Sequence, residues 1–166
     1  MYPSGDQRRT TFYRRITTTT STLLKGGSEQ FNCTFRSAEF YLTAAEAAAR
    51  LGQRAEAIGY LEQLAQKRYN ATAYATFQSN IASLTDDQLV EEIVNERARE
   101  LAFEGHRWFD LRRTTMPALT KTYNGETFQL NANDSRYTMR FPTEAVEANP
   151  NISLWPSNRI IFKNTL

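Results

Sequence analysis

The chain is poor in the residues that build most chemical sites. Of its 166 residues, one is cysteine and one is histidine. A lone Cys33 excludes an internal disulfide and a cysteine-ligated zinc site. A lone His106 cannot supply a histidine-based metal site, and gives a Ser-His-Asp triad only its minimum. A surface or packing role is the plain reading of that residue, and neither a metal nor a cofactor is expected. No apolar run approaches the roughly 20 residues of a membrane-spanning helix. The opening stretch, Met1-Tyr-Pro-Ser-Gly-Asp-Gln-Arg-Arg9, lacks the apolar stretch of a signal peptide, which at face value points to the cytoplasm. The net charge is only +2. Arginines between Arg97 and Arg113 alternate with acids, so a nucleic-acid partner is not expected.

What remains is an ordinary globular composition, 40% hydrophobic and 23% charged, which excludes wholesale disorder. Its distribution predicts three materials. Residues 1–35 are polar and threonine-rich, with Phe12, Tyr13 and Ile16 favouring one or two short strands before the Gly26-Gly27 break. Residues 36–113 carry helical periodicity. In the first helix, Arg36 to Leu51, the stripe is Ala38, Tyr41, Leu42, Ala45, Ala48 and Ala49, and Gly52 stops it. A second helix runs from about Arg54 to Arg68, with Ala57, Ile58, Leu61, Leu64 and Ala65 on one face. The two read as an antiparallel pair of tetratricopeptide type, and no second clear copy is evident. A third helix starts at Thr85, with Gln88 completing a capping box and Asp86 and Asp87 in its first turn. Its stripe, Val90, Ile93, Val94, Arg97, Leu101 and Glu104, runs on to Gly105; Trp108, Phe109 and Leu111 follow as a short helical turn in the core. Residues 114–166, punctuated by Pro117, Pro142, Pro150 and Pro156, read as an irregular tail. A short hairpin is expected around Asn131-Ala-Asn-Asp134, flanked by Phe128 and Leu130 and by Tyr137, Met139 and Phe141, and a turn at Asn149-Pro150-Asn151. The fold class is therefore mainly α, with one or two short β-hairpins.

The segment Asn95 to Arg113 stands out because charges occupy a core-facing stripe. Glu100 and Glu104, four apart, repel each other unless neutralised. The spacing assigns Arg97 and Arg107 to that task, and burial of such charges requires that they be paired. Two close carboxylates also suggest glycosidase chemistry, but flanking arginines would hold both ionised, whereas the acid of such a pair needs a raised pKa. A structural clamp is the better reading.

The run Glu-Arg-x-x-Glu-Leu-x-x-Glu-Gly-x-Arg-x-x-Asp-Leu-x-Arg, from Glu96 to Arg113, closely resembles the signature of the SusD/RagB family of outer-membrane nutrient-binding lipoproteins. Its matching positions are Glu96, Arg97, Glu100, Leu101, Glu104, Gly105, Arg107, Asp110, Leu111 and Arg113. Arg36-Ser-Ala-Glu-Phe-Tyr-Leu-Thr-Ala-Ala-Glu-Ala47 resembles a family helix. Asn133-Asp-Ser-Arg-Tyr-Thr-Met-Arg-Phe-Pro142 with Asn149-Pro150-Asn151 resembles its closing stretch. The match weakens where Phe141-Pro142 stands for a Pro-x-Pro run and Ser153-Leu-Trp-Pro-Ser157 for Gln-Asn-Pro-Gly.

The resemblance implies a single C-terminal domain over 1–166, a portion of a longer protein that is lipid-anchored and surface-exposed at the outer membrane. Its scaffold would be tetratricopeptide-like, and its role non-catalytic capture of glycan or other nutrient beside a SusC-like, TonB-dependent transporter. Ligand-stacking candidates are Trp155, Tyr123 and Tyr74. The competing reading is a free-standing helical-repeat module that binds a protein partner. The ligand's identity is not legible.

Overall fold

The fold is seen in a computed structural model that describes residues 2–17, 21–25, 36–139 and 141–149. The described residues are mainly helical, with two short antiparallel strand pairs. They form two compact units, Met1–Asp110 and Leu111–Leu166.

The first unit opens with α1 (Arg8–Phe12), then β1 (Tyr13–Arg15) paired antiparallel to β2 (Ser21–Leu23). The strands fulfil part of the expectation for this region; the helix was not anticipated. Next come α2 (Ser37–Arg50), α3 (Arg54–Ala65), α4 (Ala71–Ser83), α5 (Asp86–Glu100) and α6 (His106–Arg113). Alanine, the best helix former, fills α2 and lets α3 approach closely. The helix ends in a Schellman turn. Gly52 takes φ +74°, its N–H donates to Ala49 O at 3.1 Å, and Gln53 N–H donates to Ala48 O at 2.9 Å. Only glycine enters that left-handed region freely, so the chain reverses here and lays α3 along α2.

The core forms between α2, α3, α4 and α5. Leu42, Leu61, Ile81, Leu89 and Ile93 are fully or almost fully buried, each contributing roughly 2 kcal/mol by leaving water. Tyr41, expected in the α2 stripe, instead lies exposed at its edge, its ring 6.5 Å from Tyr60.

Helix α4 did not show in the sequence reading. Asn70 Oδ1 caps it by accepting from Ala73 N–H at 2.9 Å, and Phe77 and Ile81 are its buried anchors. The guanidinium of Arg54 donates to Leu84 O (2.7 Å) and Ile81 O (3.2 Å), where the helix dipole is negative. The capping box of α5 is present: Thr85 Oγ1 accepts from Gln88 N–H and Gln88 Oε1 accepts from Thr85 N–H. This helix stops at Glu100, short of the expected Gly105, because Phe103 (φ +66°) and Gly105 (φ +82°) take left-handed conformations. Phe109, expected in the core, is 56% exposed.

In the second unit β3 (Leu119–Tyr123) pairs with β4 (Glu126–Leu130). The hairpin therefore lies about ten residues before the expected place. Its turn is Asn124-Gly125, both at positive φ, the geometry that matches strand twist in a two-residue loop. The expected site instead holds a turn capped by Asp134 and a 3-10 helix, Ser135–Tyr137. Tyr137 is buried and donates to Pro117 O at 2.5 Å. Helix α7 (Thr143–Ala148) follows Pro142. The Gly26-Gly27 break, Cys33 and the Asn149-Pro150-Asn151 turn lie wholly or partly outside the described residues.

Candidate functional site

The charges singled out in the sequence converge on the inner face of α5. Glu96 and Glu100, four residues apart, are both fully buried. Two bare carboxylates at that spacing would each carry a desolvation cost of several kcal/mol. Arg8 resolves this by sitting between them. Its Nη1 lies 2.6 Å from Glu96 Oε1 and 3.1 Å from Glu100 Oε2. The rest of its fork grips Asp6, through Nε to Oδ1 at 2.9 Å and Nη2 to Oδ2 at 2.7 Å. Burial works against the charge on Arg8, but the bonds to Asp6 and the charge of Glu96 outweigh it and hold its pKa above the usual arginine value.

Glu100 is the hub. Arg68 donates to it bidentately, Nε to Oε2 at 2.8 Å and Nη2 to Oε1 at 2.9 Å. Arg36 Nη1 adds 2.9 Å to Oε1. Burial raises this carboxyl's pKa, but the bonds and charge of Arg68, with Arg8 and Arg36, prevail and bring it to about 2. Arg36 also bridges to Glu104 at 2.7 Å, and Lys25 Nζ reaches Glu104 Oε1 at 2.5 Å with Phe12 beneath it. Burial holds the Lys25 ammonium below its ordinary pKa. Glu96 accepts from Arg99 Nε at 2.7 Å and from the Tyr69 hydroxyl at 3.1 Å, and Arg99 also pairs with Glu92. Among the described residues, Arg8, Lys25, Arg36, Arg68 and Arg99 thus face Asp6, Glu92, Glu96, Glu100 and Glu104. Five charges of each sign meet, which is what makes burial of the group tolerable.

A second, smaller cluster surrounds Arg97. It donates to both Asp110 oxygens at 3.2 Å, to Glu39 Oε1 at 2.9 Å and to Thr43 Oγ1 at 3.3 Å. His106 Nδ1 stands 3.7 Å from Glu39. This corrects the assignment of Arg97 and Arg107 to Glu100 and Glu104. Arg97 serves other acids and Arg107 is exposed. The cations that hold the pair come from residues 8, 25, 36 and 68. The sequence hid them because they lie 32 to 92 positions from Glu100 where they bond it directly; Asp6-x-Arg8 was the one local hint.

Of the remaining signature positions, Leu101, Asp110 and Leu111 are buried, and Gly105 supplies a left-handed turn. Arg113 is exposed but not without partners. Tyr74 lies on α4, half-buried against the core, and its hydroxyl accepts from Gln66 Nε2 at 2.9 Å. Tyr123 is 70% exposed at the end of β3. Trp155 lies outside the described residues.

Chemically, Glu100 is a poor acid catalyst. Both oxygens are taken by arginines, it stays ionised at neutral pH, and no solvent reaches it. A two-carboxylate hydrolase needs a proton on one partner and room for substrate between them. Among the described residues, no group of three or more His, Cys, Asp and Glu side chains is placed to hold a metal ion.

A sequence profile of the SusD family matches residues 3–158. Two proteins of Formosa agariphila are similar. SusD-like protein P38 is 38% identical over 81 residues, 48% of this chain and 16% of that protein. SusD-like protein P2 is 33% identical over 126 residues, 74% of this chain and 24% of that protein. The matched stretches are thus a quarter or less of these relatives.

Proposed function

The chain belongs to the SusD family, and on that footing we propose that it is the scaffold portion of a non-catalytic nutrient-capture protein. In this reading the whole protein is lipid-anchored at the surface of the outer membrane. It binds glycan or another nutrient and hands it to a SusC-like, TonB-dependent transporter. The observation that carries the scaffold role is the buried, charge-balanced network on α5. It ties the N-terminal segment, the start of α2, the end of α3 and α5 to a single carboxylate. That arrangement suits rigid support of a binding partner and is unsuited to turnover, since each buried acid among the described residues already has a cationic partner. Tyr123, Tyr74 and Trp155 stay as candidate ligand contacts, with Tyr123 the most open of the described two. No helix among the described residues is long and apolar enough to cross a membrane.

The test is co-purification. The protein expressed from its complete reading frame, tagged and extracted from outer membranes, is expected to bring down a TonB-dependent transporter, and its deletion to slow uptake of the cognate nutrient. A soluble protein recovered without any transporter would overturn the proposal.

A further inference from the structure

The N-terminal segment, described over residues 2–17 and 21–25, is held to the helices by polar contacts. Its buried side chains are the charged pair Asp6 and Arg8, and none of its described apolar side chains is buried. Ile16 and Leu24 are exposed, and Phe12, Tyr13 and Leu23 are half-buried. Most of its ring contacts are internal. Tyr2 meets Phe12 at 6.3 Å and Tyr13 at 5.9 Å, and the Lys25 ammonium lies over Phe12. β1 and β2 pair with each other, and Asp6 grips Arg8 two residues away.

Across the junction, the Tyr2 hydroxyl donates to Arg99 O at 2.9 Å and Lys25 Nζ to Glu100 O at 2.5 Å. Gln7 N–H donates to Arg68 O at 2.8 Å, and Gly5 O accepts from Asn70 N–H at 3.0 Å. Arg8 completes the set on Glu96 and Glu100. The apolar exceptions are Tyr13 against Phe103, itself 59% exposed, and Gly5 against Ala73.

Each side of this junction is matched without the other. If the segment withdraws, Asp6 leaves with Arg8. On the helices, Glu100 keeps Arg68 and Arg36, Glu104 keeps Arg36, and Glu96 and Glu92 keep Arg99. Withdrawal therefore leaves no acid of the hub without a cation, and the separated charges regain hydration that burial denies them. The shared core of α2, α3, α4 and α5 contains no side chain of the segment, so it survives the separation. A region with few buried apolar contacts opens at a lower cost than such a core.

We infer that the N-terminal segment is a releasable strap. It lifts from α4 and α5 as one piece while the helices stay folded, and its release bares Glu96, Glu100 and the Tyr69 hydroxyl to solvent. The device is independent of the capture role proposed above.

The test is native-state hydrogen exchange of the protein from its complete reading frame, read residue by residue by mass spectrometry with electron-transfer fragmentation. The amides of Gln7 and Asn70 bond across the junction from opposite sides. They are expected to share one protection factor, at least about tenfold below those of Leu61 and Ile93 in the core. Lys25→Met keeps the stem and removes the ammonium. It is expected to speed exchange at both junction amides about tenfold, as the loss of a charge-assisted hydrogen bond does, with Leu61 and Ile93 unchanged. Tyr2→Phe, which deletes one hydroxyl, is expected to act in the same direction about fivefold. Junction amides as protected as Leu61 and Ile93 would overturn the strap, because the segment would then open only with the whole fold. Unequal protection of Gln7 and Asn70 would overturn it too, since that marks a fraying end. A response of the core amides equal to that of the junction in both variants would do the same.

Discussion

Glu100→Gln isolates the charge of the hub from its shape. The side chain keeps its length and one acceptor oxygen but no longer carries the charge that Arg8, Arg36 and Arg68 surround. A fall of the carboxyl pKa from 4.5 to about 2 corresponds to ~3 kcal/mol of folding stability at ~1.4 kcal/mol per unit. The sign follows from the direction. Because the folded-state pKa is the lower one, the contribution is fully present above pH 4.5, declines as the pH falls, and is gone below about 2. The deficit of the variant is therefore expected to be ~3 kcal/mol at pH 7 and to shrink to less than half of that at pH 3. Urea unfolding of both proteins by far-ultraviolet circular dichroism at several pH values reads this directly. Equal midpoints at pH 7, or a deficit that does not shrink in acid, would refute the claim that Glu100 is buried and ionised among arginines.

Arg97→Ala removes the cation between Glu39 and Asp110 and is expected to cost about 3 kcal/mol in thermal or urea melts, whereas Arg107→Ala, on an exposed side chain, is expected to stay within ~0.5 kcal/mol. Gly5→Ala places a Cβ against Ala73 at a left-handed backbone position; a loss of at least about 2 kcal/mol is expected from strain and overpacking together, measured by the same melts. Thr85→Ala deletes half of the α5 capping box and is expected to cost ~1 kcal/mol; a neutral result would mean that tertiary contacts alone hold the start of the helix.

Local features were legible in the sequence and distant ones were not. The start of α5, the Gly52 turn and the apolar faces of α2 and α3 follow from spacing and capping within a few residues, and the structure has them. Helix α4 was missed because Thr, Ser and Asn crowd it and only Phe77 and Ile81 mark its inner face. The Asn70 cap was the available signal. The hairpin lies earlier than expected because Asn124-Gly125, a strong two-residue turn dipeptide, sets it rather than the alternation around residue 131. Burial of Arg97 and Glu100 follows from their place on the stripe, whereas Glu96, off that stripe, is buried without having been expected there. Their partners do not follow, since ion pairing across tens of residues leaves no periodic trace. Tyr41 and Phe109 show the converse limit: periodicity fixes which face a residue shares, not whether a neighbour covers it.

The span of the Glu100 contacts bears on synthesis. Arg8, Arg36 and Arg68 reach a residue that follows them by 92, 64 and 32 positions. A nascent chain leaving the ribosome carries these guanidiniums before the acid that gathers them exists, so the N-terminal strap has no native anchor on α5 until about residue 100 has emerged. Premature termination before that point leaves the three guanidiniums without the carboxylate that gathers them, and the loops that must close are long. The hub thus makes the earliest part of this chain among the last to find its place.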